Sequence, residues 1–208
     1  MLIYNPNSEN EPIDDNNKDT KGIYRKYIRN GGPGENEWII VNKLFELDKN
    51  IDYDENLIKI LHISEDKIGR YYDTNVVETY YNIKKKSEPE KLVSLYEQLT
   101  KLNKTRRYLQ NNGIAYIDWK LDNIGLNSDG DIVLYDFDSS GTFRPPNPVK
   151  NIKGQWIVSP PVNSYSYKYA TTIFSKYGFD NYPQNLDTFL FRNMLFNANN
   201  KQTDLPLN

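Results

Sequence analysis

The sequence predicts a mixed α+β fold, and three observations predict it. Short segments that alternate apolar with polar or basic residues gather before residue 84, a period of two that sets one face of a strand on a core. They give way to Leu92, Leu95, Tyr96, Leu99, Leu102 and Leu109, spaced along one face of a long helix. Three more short strands then follow, and a Pro-, Ser-, Asn- and Gly-rich stretch over 139–165 separates them from two further amphipathic segments.

Taken in order, residues 5–21 (NPNSENEPIDDNNKDTK) are polar and acidic with almost nothing to bury, and the stretch 1–21 reads as a disordered or loosely attached arm. IYRKYIR, from Ile23 to Arg29, reads as a strand closed by the turn GGPG at 31–34. A helix is expected from Glu35 to Lys49, where Trp38, Ile39, Val41, Leu44, Phe45 and Leu47 keep helical spacing and acidic residues occupy the first turn. Two strands are expected at 57–64 and 75–83, with SEDKIGRYYD as the turn between them. Ser87-Glu88-Pro89-Glu90 has the form of a capping box, starting a helix that Asn111, Asn112 and Gly113 end. Short strands follow at 114–117, 123–126 and 131–137, the last two joined by Asn127-Ser128-Asp129-Gly130. After the loop, helices are expected at 165–177 and 184–197.

The bulk composition narrows the function classes. With 208 residues the chain suits one compact unit. Its 26 basic and 28 acidic residues give a net charge of -2, so no global field draws it to nucleic acid or acidic membranes. Cysteine is absent, which removes disulfides, thiolate metal sites and cysteine nucleophiles. His62 is the only histidine and lies in an apolar strand, so no catalytic triad can be built on it. The sequence shows neither an apolar run of membrane-span length nor a signal-peptide pattern, and the expectation is a soluble, cytoplasmic protein. The load of Asn, Lys, Ile, Tyr and Asp matches an AT-rich genome, as in a large DNA virus whose protein acts in the host cytoplasm.

Chemistry concentrates in GIAYIDWKLDNIGLNSDGDIVLYDFDSSG, from Gly113 to Gly141, where polar residues are threaded through an apolar hairpin. Asp118, Lys120 and Asn123 share one tight loop, and Asp136 ends the strand that pairs back beside it. A carboxylate such as Asp136 at the end of IVLY is costly to bury without a partner. Phosphoryl transfer asks for this kind of set: oxygens to hold a cation on phosphates, a carboxylate to orient the attacking hydroxyl, and a cation to offset developing charge.

IDWKLDNIG resembles the catalytic loop of the protein-kinase-like superfamily, and LYDFDSSG resembles the metal-binding strand end that follows it; the Asn123 to Asp136 separation is also what that family uses. The resemblance implies a reduced antiparallel β lobe at 22–86 and a reduced, mainly helical lobe at 87–208 that carries the catalytic-loop hairpin. It implies Mg2+ and ATP as cofactors, Asp118 as catalytic base, Lys120 as the loop lysine near the transferred phosphate, and Asn123 and Asp136 as metal ligands. Upstream, Lys26 resembles the nucleotide-contacting strand lysine, and Glu37, or else Glu35, the helix glutamate that pairs with it. Asp138 stands where protein kinases carry glycine and resembles the small-molecule and aminoglycoside-kinase branch, as an additional metal ligand.

The departures from the family are as specific as the matches. Tyr116 replaces the usual loop histidine and Ile117 the arginine before the catalytic aspartate, so phosphate-triggered ordering through that arginine is not expected. No glycine-rich lid is seen before Lys26, and the first two strands of the family's small lobe are expected to be missing. Three functions follow as alternatives: a magnesium- and ATP-dependent phosphotransferase, a catalytically inactive kinase-like scaffold for a protein partner, and a nucleotide-sugar glycosyltransferase using Asp136 and Asp138 as a D-x-D site.

Overall fold

The computed structural model describes residues 22–28, 33–65, 69–143, 158–159 and 183–203. The expected arm at 1–21, the glycines at 31 and 32, most of the 139–165 stretch and the expected helix at 165–177 lie outside them. The fold is mixed α+β, with small antiparallel sheets and several helices.

The first sheet takes the order β1-β3-β2 from β1 (Ile23–Ile28), β2 (Ile60–Glu65) and β3 (Arg70–Asn75), all antiparallel. α1 (Pro33–Leu47) packs on it through Ile40, Val41 and Leu44, each fully buried. The helix opens two residues before the expected start, because Pro33 is pre-set for a first helical turn in which its missing N–H costs nothing. The expected strand at 75–83 is corrected. The strand lies earlier, over Arg70–Asn75, and Glu78–Thr79 (β4) runs directly into a short helix, α2 (Tyr80–Lys85). The Thr79 hydroxyl accepts from the Asn82 amide and satisfies one orphan donor of the first helical turn, a local cap that outcompetes the β-branched and aromatic pattern.

The long helix is also corrected in two respects. Ser87 has φ 54 and does not cap; Glu88 occupies the N-cap position without a side-chain hydrogen bond, and Pro89 opens α3 (Pro89–Gln98). A 3-10 turn at Leu99–Lys101 then divides α3 from α4 (Leu102–Asn111). Tightening to three residues per turn keeps Leu99 and Leu102 on one side, and all six apolar positions read from the sequence are buried.

β5 (Ile114–Ala115) leads into the polar loop, and a 3-10 turn at Leu121–Asn123 leads out of it into β6 (Ile124–Leu126). β6 pairs antiparallel with β7 (Ile132–Leu134) and with β4. The expected turn between β6 and β7 is present, and Asn127 organises it: its side-chain oxygen accepts from the amides of Asp129 and Asp131. Gln98 fixes the turn to α3, donating to the Gly130 carbonyl and accepting from the Ile132 amide. Residues 56–58 run parallel to β7, with Leu134 N donating to Asn56 O and Ile58 N to Leu134 O, so the first half of the chain is stitched to the hairpin. Within the stretch expected as loop, β8 (Gly141–Phe143) and β9 (Val158–Ser159) form a third sheet with β5. α5 (Pro183–Thr203) closes the fold, burying Leu186, Leu190, Phe191, Met194 and Ala198. Among the described residues no helix is long and apolar enough to cross a membrane.

Candidate active site

Two clusters of polar side chains meet at the hairpin. The first lies in the loop between β5 and β6. Asp118 is buried, and its Oδ2 accepts from Lys120 Nζ at 2.7 Å and from Asn123 Nδ2 at 2.9 Å; the same Asn123 amide also donates to the Asp118 carbonyl at 3.1 Å. One oxygen with two donors is a charge-assisted arrangement that fixes the carboxylate's orientation. Lys120 keeps about half of its side chain in solvent. Burial tends to lower its ammonium, but the bond to Asp118 and the nearby Asp136 and Asp138 charges raise it.

The second cluster is assembled from distant parts of the chain. Lys26 Nζ donates to Glu37 Oε1 at 2.6 Å and to Asp136 Oδ1 at 3.0 Å, which joins β1, α1 and the end of β7 across 110 residues of sequence. Burial alone pushes the Asp136 carboxyl up, yet the Lys26 ammonium, together with Lys120, holds it below the usual carboxylate range. Glu37 is buried more deeply, and there desolvation prevails over Lys26, raising its carboxyl. Lys26 stays charged because Glu37 and Asp136 overcome the desolvation that would lower it. Asp136 itself has φ 64, a left-handed conformation that costs a non-glycine residue about 1 kcal/mol or more and that sets its carboxylate at the turn out of β7.

The clusters are coupled through backbone and field. Tyr135 N donates to the Asn123 carbonyl at 3.1 Å, so the residue before Asp136 is bonded to a member of the first cluster. Tyr116 is fully buried at the junction and donates from its phenol to the Tyr135 carbonyl at 2.9 Å. Burial raises that phenol, and the Asp136 and Asp118 charges raise it further, which places both carboxylates in its neighbourhood. Asp138 accepts from the Ser139 hydroxyl at 2.9 Å; burial, followed by repulsion from Asp136, raises its carboxyl.

The sequence-derived residues therefore separate cleanly. Asp118, Lys120 and Asn123 form one bonded set, Lys26, Glu37 and Asp136 another, and Asp138 stands beside the second with no ion pair among the described residues. Glu37, the preferred partner, meets Lys26, whereas the alternative Glu35 accepts from Arg70 at 2.7 Å. Gly34 lies in the first turn of α1. His62 is exposed on β2, with its ring 5.9 Å from that of Tyr71.

Three residues were not legible as site residues. Tyr72 donates to Glu37 Oε1 at 2.9 Å. Tyr116 packs edge-on against Phe137 and Trp119. Asp187, on α5 and wholly buried, accepts from Trp119 Nε1 at 2.5 Å and Gln110 Nε2 at 2.9 Å, anchoring the loop from beneath. Burial lifts the Asp187 carboxyl to about 7, against the pull of these two donors and of Arg106. Its only sequence signal was a carboxylate inside an amphipathic helical pattern.

As a cation site, the donor set is sparse. Among the described residues no three carboxylate, imidazole or thiolate groups are placed to hold a metal by themselves. Asp136, Asp138 and the Asn123 amide are hard oxygen donors, and they suit an ion that takes most of its ligands from phosphates and water, as magnesium does. No family model matches the chain, and no curated protein matches it.

Proposed function

We propose that this chain is a reduced kinase-like phosphotransferase, with a small β lobe over 22–86 and a mainly helical lobe over 87–208. The observation that carries the reading is the Lys26 ammonium held between Glu37 and Asp136. A lysine with one carboxylate behind it and a second at the mouth of the hairpin is a cation prepared for a phosphate, and α1 and β7 have no other evident reason to share it.

In this reading Lys26 binds nucleotide phosphate while Glu37 keeps its ammonium in place. Asn123, Asp136 and Asp138 would hold magnesium, which would supply neutralising charge for the phosphates. Asp118 accepts the proton of the acceptor hydroxyl as that oxygen bonds to the terminal phosphorus and the P–O bond to the nucleoside diphosphate breaks, the diphosphate leaving with that oxygen; Lys120, ion-paired to Asp118 at 2.7 Å, supplies positive charge beside the transferred group. The buried Asn123 amide fixes the Asp118 carboxylate for this role.

A second reading, an inactive kinase-like scaffold for a protein partner, is favoured by the described β lobe. Its own sheet contains three strands, and the Gly22 carbonyl, just before β1, is committed to the Val76 amide at 2.9 Å. Thermal unfolding with ATP, with and without magnesium, separates the two. A ligand at 100 times its Kd stabilises the native state by about 2.7 kcal/mol. The phosphotransferase reading expects a magnesium-dependent shift that Asp136→Asn abolishes. No shift with any nucleotide leaves the scaffold reading, and a shift with a uridine sugar nucleotide alone favours a glycosyltransferase.

A further inference from the structure

The inference concerns Tyr72 and rests on the phosphotransferase reading for its purpose. In the antiparallel pairing of β1 with β3, Tyr72 is the Cα partner of Lys26, so both side chains leave the same face of the sheet, the face that α1 covers. Tyr72 is 4% exposed. Its phenol donates to Glu37 Oε1 at 2.9 Å, the oxygen that also accepts from Lys26 at 2.6 Å.

We propose that Tyr72 is a positioning residue: its hydroxyl fixes the Glu37 carboxylate and, through it, holds the Lys26 ammonium beside Asp136 before any nucleotide arrives. A lysine ammonium on four rotatable carbons, placed between two carboxylates, has no preferred distance to either unless one of them is immobile. A glutamate side chain is itself rich in rotamers. A phenol on a central strand is not: two torsions and a packed ring set its oxygen, and against a carboxylate it acts only as a donor. Burial raises the Tyr72 phenol well above its ordinary value, so it carries its proton throughout the working range.

A second tether from the same strand supports this. Arg70 Nη1 donates to Glu35 Oε1 at 2.7 Å while its Nε donates to Glu65. The first turns of α1 are thus fastened to β3 at Glu35 and Glu37 by bonds that do not involve Lys26. Contacts within the chain hold the start of the helix that carries Glu37 against the strand that carries Tyr72.

The test uses the full chain labelled with 13C-glutamate and 15N-lysine, with Glu37→Gln and Lys26→Arg identifying the two resonances. In Tyr72→Phe the ring packing remains and one donor is lost. The Glu37 titration midpoint is expected to move to higher pH, and the Lys26 ammonium signal to weaken through faster exchange. Tyr80→Phe deletes an equally buried phenol that bonds only Tyr96, and is expected to leave both signals unchanged. Where wild type binds magnesium-ATP, Tyr72→Phe is expected to bind it about tenfold more weakly, the order of one hydrogen bond to a charged group. Unchanged Glu37 and Lys26 signals in Tyr72→Phe, or equal changes in Tyr80→Phe, overturn the proposal. If wild type binds no nucleotide, the phosphotransferase reading falls, and the two resonances still decide whether Tyr72 positions Lys26.

Discussion

Replacing Asp187 by Asn removes a charge that the fold buries completely, and the consequence is a specific change in how stability depends on pH. Burial lifts the carboxyl from 3.8 to about 7 in the folded chain. A folded-state value above the unfolded one means that the folded state holds the proton more tightly; the associated stability is complete below pH 3.8 and is lost as pH rises through about 7. At 1.36 kcal/mol per pH unit, that difference amounts to about 4 kcal/mol lost by wild type across the interval. The variant cannot ionise and does not lose it. It does present an amide N–H where an oxygen accepted from Trp119 or Gln110, and Gln110 can rotate its own amide in response, so its deficit in acid is about 1 kcal/mol. Urea unfolding of both proteins from pH 4 to 8 is the assay. Asp187→Asn should be the less stable protein near pH 4 and the more stable by about 3 kcal/mol near pH 8, with the curves crossing between. Parallel curves would refute the reasoning, because they would mean that Asp187 does not change its protonation on folding in this range.

Lys26→Met leaves a buried Glu37 and a partly buried Asp136 without their shared cation, at a cost of about 3 kcal/mol at pH 7 by urea unfolding. That deficit should shrink as pH falls toward the carboxylate range, because Glu37, already raised by burial, then takes up a proton. For Asp136 the sign is opposite: held low by Lys26 against its burial, its share of stability is present above pH 3.8 and is lost as pH falls through the lower folded value, a loss that Lys26→Met should abolish. Gly125→Ala is expected to destabilise by about 2 kcal/mol, since a Cβ there would strike Val77 Cγ1 and stand 2.6 Å from the Glu78 carbonyl, forcing β4 away from β6; an unchanged urea midpoint would count against that packing.

Much of the site could be read from the sequence because its parts are local. Asp118, Lys120 and Asn123 lie within six residues, and hydrogen bonding between loop neighbours needs no long-range closure. The β6–β7 hairpin follows from Asn127 and Gly130, whose turn chemistry is written into four residues; Gly130 takes φ 82 there. The pairing of Lys26 with a glutamate on α1 was expected only from the kinase-like resemblance; spacing along the chain did not give it. Glu37 was the preferred partner over Glu35, two residues away in the same helical turn, and β3 offers Tyr72 to Glu37 and Arg70 to Glu35.

Neighbours along the chain were enough for the α+β class, the apolar faces and the gathering of polar residues in one loop, because periodicity, turn residues and a carboxylate ending an apolar strand are local properties. Tertiary structure decided where β3 lies, that Thr79 starts a helix, that the long helix is broken at Leu99, and that Tyr72, Tyr116 and Asp187 brace the site. Those outcomes depend on which groups remain without water once distant segments pack. Asp187 meets Trp119 across 68 residues and Tyr72 meets Glu37 across 35, and each is a buried polar group whose partner the fold alone supplies.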